Sequence, residues 1–170
     1  RERRTGAARA AKLFFPERNA RDRAVAFYAR KLEQLRDCPI IIKYHHAETI
    51  RLAGRPTTVL ISEFVDGVLL EELVRRRRGK RLPLFEALHV LHQLASGLEA
   101  VHARREYHGD LHPGNVLVRR QGVHVVLKLV DLLDLGRPTK LNIADDVVDL
   151  VRLFHEMLGG RRHYARLPPE

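Results

Sequence analysis

The chain has 170 residues and a mass of 19.6 kDa, with 45% hydrophobic and 31% charged residues. This is the composition of one globular domain or two small lobes, and it excludes a wholly disordered chain. No run of 18 apolar residues occurs and the first residues lack the apolar core of a leader, so neither a membrane span nor a secretory leader is expected within this stretch. The single cysteine, Cys38, sits beside Pro39 without His or Cys partners at metal-ligand spacing, which argues for a reducing compartment and a cytoplasmic location. The 31 Lys and Arg against 21 Asp and Glu give a net charge of +10, which suits an anionic partner without naming one.

In chain order, Ala10 to Phe15 reads as a strand whose apolar residues surround a single lysine, Lys12. Residues 20 to 37 read as a helix, with Val25, Tyr28, Leu32 and Leu35 along one face, and Pro39 ends it. Ile40 to Tyr44 and Thr57 to Phe64 are rich in β-branched and aromatic residues and are separated by Gly54 and Pro56, which predicts two strands joined by a turn. This first part, about residues 1–66, is expected to form a small β-rich lobe. A boundary is expected at Val65-Asp66-Gly67, followed by a short helix over 69–78 closed by Gly79. A long helix from about Leu84 to Arg104 carries Leu84, Leu88, Leu91, Leu94, Leu98 and Val101 as a core stripe. Next come a polar loop over His108 to Asn115, a hairpin over Val116 to Val130 turning at Gln121-Gly122, and an apolar helix over Ile143 to Leu158. The second part, about residues 67–170, is thus mainly helical, and the fold class is α+β.

The loop His108-Gly109-Asp110-Leu111-His112-Pro113-Gly114-Asn115 cannot be regular helix and lies between rigid elements, where sites tend to sit. The hairpin that follows ends at Asp131, which returns a second carboxylate to the mouth of this loop. Asp110, Asn115 and Asp131 can therefore converge. Carboxylate and amide oxygens, few in number and with room left for water and phosphate, suit Mg²⁺. A base and a Mg²⁺ clamp are the minimal parts for phosphoryl transfer.

On these residues the sequence resembles the protein-kinase-like superfamily. HGDLHPGNVLV is similar to the catalytic loop, in the version shared by small-molecule kinases of the aminoglycoside and choline type and by some atypical protein kinases. The resemblance implies a two-lobed fold and ATP and Mg²⁺ as cofactors, with Asp110 as the base toward an acceptor hydroxyl and Asn115 and Asp131 as metal ligands. It implies Lys12 as the lysine that holds the nucleotide's phosphates and Glu33 as its ion-pair partner. Glu63-Phe64-Val65 would be the hinge that holds adenine, with the small Ser62 behind it. Asp146, on the last helix, would brace the catalytic loop.

The sequence departs from that pattern in several places. No Gly-rich loop precedes Lys12, so the chain is expected to start after the first strand or two, and only ten residues follow Gly160. Asp131-Leu132-Leu133 lacks the glycine of the DFG motif, and Asp134-Leu135-Gly136 is a rival for the metal-binding position. Only 14 residues lie between Asp131 and Asp146, with no APE motif among them, and His112 stands where serine/threonine kinases often carry Lys. The expected activity is transfer of the ATP γ-phosphate to a hydroxyl, as in a bacterial-style Ser/Thr kinase. The alternatives are a small-molecule kinase and a non-catalytic pseudokinase scaffold that recruits an acidic partner.

Plainer readings stand beside these. The Asp110–Asn115 loop could be a capped turn, Lys12 an edge-strand lysine, and Glu33 a partner for charges on its own helix. Arg75 to Arg78 could contact phosphate or nucleic acid, but basic residues at a helix end also complement the helix dipole. His89 and His92 have no third ligand at suitable spacing.

Overall fold

A computed structural model describes residues 6–15, 19, 23–122, 124–132 and 138–160. In chain order the elements are β1 (Arg9–Phe14), α1 (Arg23–Gln34), β2 (Tyr44–Leu52), β3 (Arg55–Glu63), β4 (Val68–Leu69), α2 (Leu70–Arg76), α3 (Leu84–His102), β5 (Val116–Gln121), β6 (His124–Leu129) and α4 (Lys140–Met157). They form two antiparallel three-stranded sheets, ordered β1-β3-β2 and β4-β5-β6, so the α+β expectation holds.

The first sheet follows from its pattern. Along β1 the inward positions are Ala10, Lys12 and Phe14, while Leu13 and Phe15 face outward, as the two-residue period of a strand dictates. Helix α1 packs Val25, Tyr28 and Leu32 against this sheet, with Leu35 buried just beyond its end, the face that the spacing predicts. The strand expected over Ile40 to Tyr44 is displaced. Ile40, Ile41 and Ile42 are buried in an irregular segment, and β2 begins only at Tyr44. The reason is a competing partner: Leu129 of β6 donates to the Ile40 carbonyl at 2.6 Å, and Ile41 makes a parallel bridge to the same residue. The triple isoleucine thus joins the two sheets rather than extending one of them. Cys38 is buried at the start of this segment, its thiol pKa raised by burial, which makes it a packing residue and a poor nucleophile.

The core stripe of α3 is shifted from the expected one. Leu84 and Leu88 are exposed, and the buried face is Ala87, Val90, Leu94, Leu98 and Val101. Helix α4 starts three residues before the expected Ile143, because Thr139 and Asn142 form a reciprocal capping box. Its buried face is Asp146, Leu150, Leu153 and Met157, while Leu141, Val147, Val148 and Val151 are exposed, so only one side of this apolar helix is core. The hairpin β5–β6 turns at Gly122, whose φ of 61° lies where glycine carries no steric cost.

Candidate active site

The loop after α3 is held from below by Asp146. Its fully buried carboxylate accepts hydrogen bonds from the backbone N–H of His108 at 2.8 Å and of Gly109 at 2.9 Å, and it lies 2.8 Å from His102 Nε2. His108 points the other way. Its Nε2 lies 3.1 Å from the Val130 carbonyl and its Nδ1 accepts from the Asp110 N–H at 3.2 Å, an arrangement that assigns the proton to Nε2 of a neutral ring. Burial pushes the His108 pKa down, against the opposing pull of Asp146, which keeps that ring neutral.

Asp110 therefore leaves a braced backbone with its carboxylate directed outward, 65% exposed. Asn115 Nδ2 donates both to the Asp110 carbonyl at 2.9 Å and to its Oδ2 at 3.1 Å, closing the loop across five residues. A turn of 3₁₀ helix over Pro113–Asn115 makes this possible: the His112 side chain caps it by accepting from Gly114 N–H. A side chain at Gly114 would press into the His112 ring at 2.8 Å. His112 Nε2 lies 3.7 Å from Asp110 Oδ2.

The strand end arrives at the same place. Val130 donates to the Asn115 carbonyl at 3.0 Å, which seats Asp131 beside the loop. Asp131 has φ 64°, a left-handed conformation that costs a non-glycine residue energy and commonly marks functional positions. Its carboxylate receives the Lys12 ammonium at 2.5 Å, so residues 119 positions apart meet across the two sheets. The structure thus brings Lys12, Asp110, Asn115 and Asp131 to one locus. The rival Asp134 lies outside the described residues.

Glu33 is not brought there. It is exposed and pairs with Arg36 at 2.9 Å. At 100° per residue, five positions carry Glu33 about 140° round the helix from Tyr28, and Tyr28 is the α1 residue that faces Lys12, with the ammonium 5.5 Å from the ring centre. Nothing in the sequence signalled this role, because Tyr28 also fits the core stripe.

At Glu63, where the resemblance would put the hinge, the N–H donates to the Lys43 carbonyl at 2.8 Å, while the carboxylate takes the Lys43 N–H at 3.2 Å and the buried Lys128 ammonium at 3.0 Å. Lys128 also donates to the Ile41 carbonyl at 3.3 Å and so ties the end of β3 to β6, a contact the sequence reading missed. Val65 is buried, and its carbonyl accepts from Gly67 at 2.9 Å. Gly67 itself passes so close to β5 that a Cβ there would lie 2.6 Å from the Val118 carbonyl oxygen.

The basic run is partly paired in place, two carboxylates being shared among four arginines. Glu72 pairs with Arg75 and Arg76, and Glu86 pairs with Arg77 and Arg120. Among the described residues no group of three or more His, Cys, Asp or Glu side chains could hold a metal, so His89 and His92 form no such site. No described helix is long and apolar enough to cross a membrane.

The model of the protein kinase domain matches residues 1–154. Among curated proteins, the chain is 33% identical over 159 residues to the serine/threonine-protein kinase PknA of Corynebacterium glutamicum, covering 81% of this chain and 34% of that one. It is 30% identical over 162 residues to the serine/threonine-protein kinase drp72 of Corynebacterium efficiens, covering 81% and 30%. It is 28% identical over 135 residues to cyclin-dependent kinase B2-2 of Arabidopsis thaliana, covering 76% and 42%. The chain belongs to the protein kinase family, and its small sheet and helical second part form a partial kinase fold. It spans between 30% and 42% of the length of these relatives.

Proposed function

We propose that this chain carries the phosphoryl-transfer centre of an ATP- and Mg²⁺-dependent Ser/Thr-kinase-like enzyme. The observation that supports this most is the convergence of Lys12, Asp110, Asn115 and Asp131, with Asp110 braced from behind and open in front. The donor set suits Mg²⁺: one carboxylate from Asp131 and one amide oxygen from Asn115 leave the rest of an octahedral shell to water and phosphate. Asn115 uses its NH₂ group on Asp110, which directs its oxygen elsewhere. Bound there, Mg²⁺ would neutralise charge on the transferring phosphoryl group.

This chain's own residues do the rest. Lys12 supplies a fixed positive charge to the phosphates. Asp110 accepts a hydrogen bond from the acceptor hydroxyl and takes its proton as the new P–O bond forms and the bond from the γ-phosphorus to the β,γ-bridging oxygen breaks, ADP leaving. The Glu63–Val65 segment lines the adenine position with backbone groups, and the small, buried Ser62 stands behind it. Similarity to serine/threonine kinases over most of the chain favours a protein hydroxyl over a small-molecule acceptor. Asp110, Asn115 and Asp131 are all present, which a scaffold that recruits acidic partners or nucleic acid would not need.

Two measurements test the reading. Calorimetric titration should show ATP binding that needs Mg²⁺ and is lost in Asp131→Ala. Phosphate transfer to a generic acceptor protein should fall by about 10²–10⁴ in Asp110→Ala while nucleotide binding persists. Absence of Mg²⁺-dependent binding in the wild type would overturn the proposal.

A further inference from the structure

Helix α1 contains one acidic residue, Glu33, and it faces away from the site. The place opposite Lys12 is taken by Tyr28, which is 1% exposed and stacked at a tilt against Phe14 with ring centres 6.2 Å apart. Its hydroxyl is buried without a hydrogen-bond partner in normal range and lies beside the backbone of Asp131 and Leu132. Burial, reinforced by the Asp131 charge, pushes the hydroxyl pKa up, so the group stays neutral. A buried polar atom aimed at the one strained residue of the site calls for an explanation.

We propose that Tyr28 is a positioning residue of this site: its ring face carries the Lys12 ammonium, and its buried hydroxyl supports the left-handed backbone at Asp131. The inference rests on the proposed nucleotide site for its consequence, not for its geometry. An aromatic face attracts an ammonium without neutralising it, whereas a carboxylate would share its charge. The Tyr28 ring thus adds no negative charge beside Lys12, and with no acid on α1 to hold it the ammonium rests on Asp131. The ammonium and a divalent cation compete for the same carboxylate. Filling the site requires Lys12 to leave Asp131 for the phosphates, and the Tyr28 ring keeps it within reach of both.

The test observes Lys12 directly by NMR of lysine ¹³Cε-methylene groups, assigned by the signal that disappears in Lys12→Arg. The expected wild-type signal is shifted upfield by the ring, is kept in Tyr28→Phe and returns to the position of solvated lysines in Tyr28→Leu. A wild-type signal at the solvated position overturns the proposal, and this holds even if Tyr28→Leu fails to fold. An unshifted response in a folded Tyr28→Leu does the same.

The hydroxyl is tested by the Mg²⁺ midpoint for ADP binding, expected to rise several-fold in Tyr28→Phe with little change in Mg²⁺-free ADP affinity. An equal midpoint in the two proteins removes the hydroxyl's role. If the wild type binds no Mg²⁺-ADP while the upfield signal behaves as expected, the positioning stands and the proposed function fails.

Discussion

Replacing Asp146 by Ala removes the brace beneath the His108–Asn115 loop, and its cost can be worked from three contacts. The carboxylate is fully buried and serves the His108 and Gly109 amides and the His102 ring, all within 2.9 Å. The His108 amide has no route to water, and stranding a buried donor costs about 1–3 kcal/mol. The Gly109 amide is part-buried and recovers some of its loss by hydration. His102, 16% exposed, can turn toward solvent and adds less. The sum is about 3–5 kcal/mol, the range expected when one member of a buried charged network is deleted, against a total stability of about 5–15 kcal/mol for a domain. Asp146→Asn keeps the volume and one acceptor oxygen but sets an NH₂ against a backbone N–H, so about half of that loss is expected. Urea unfolding followed by far-UV circular dichroism gives both differences. A loss under about 1 kcal/mol in Asp146→Ala, with an unchanged slope, would refute the reasoning that these three bonds hold the loop.

Gly97→Ala sets two known effects against each other. Helix propensity in the interior of α3 favours Ala by up to about 1 kcal/mol, but the new Cβ would lie 2.2 Å from Ile40 Cδ1 and 2.9 Å from Ile40 Cβ, so the Ile40 segment must move. Overpacking of this kind costs about 1–3 kcal/mol, and a lower urea midpoint is expected, rescued when Ile40→Ala is combined with it; a more stable single mutant would contradict the packing. Stability should also fall as the pH is lowered. The His108 pKa is depressed by burial, so below about pH 6.5 the unfolded chain takes up a proton that the folded one refuses, with a slope of at most about 1.4 kcal/mol per pH unit. Glu106, raised by burial against the opposing Lys31, works in the other direction, so the informative quantity is the wild-type change between pH 7.5 and 5.5 minus that of His108→Gln. Equal pH dependence in the two proteins would show that His108 is not the group responsible.

The sequence alone determined the parts that depend on local chemistry. Pro113 and Gly114 forbid regular α-helix through the His108–Asn115 loop, so Asp110 and Asn115 had to lie on a turn between rigid elements, and Asn115 indeed closes on Asp110. The two-residue period of the hairpin returned Asp131 to that turn. The periodicity of α1 marked Val25, Tyr28, Leu32 and Leu35 as its buried face.

Tertiary structure decided everything that turns on competition between distant partners. Ile40 to Ile42 read as strand, yet Leu129 captures that backbone first. The stripe of α3 could have begun at Leu84, but which leucines are covered depends on what packs there, and Leu84 and Leu88 stay exposed. Periodicity shows that a face is apolar without showing which polar group that face meets. Tyr28 was therefore legible as core and illegible as the neighbour of Lys12, while Glu33, which the family resemblance suggested as the partner, turns about 140° away. The meeting of Lys12 with Asp131 spans 119 residues, and no local pattern encodes such a distance; the two sheets are joined through the Ile40–Ile42 segment and the Lys128–Glu63 pair, which brings the two residues together.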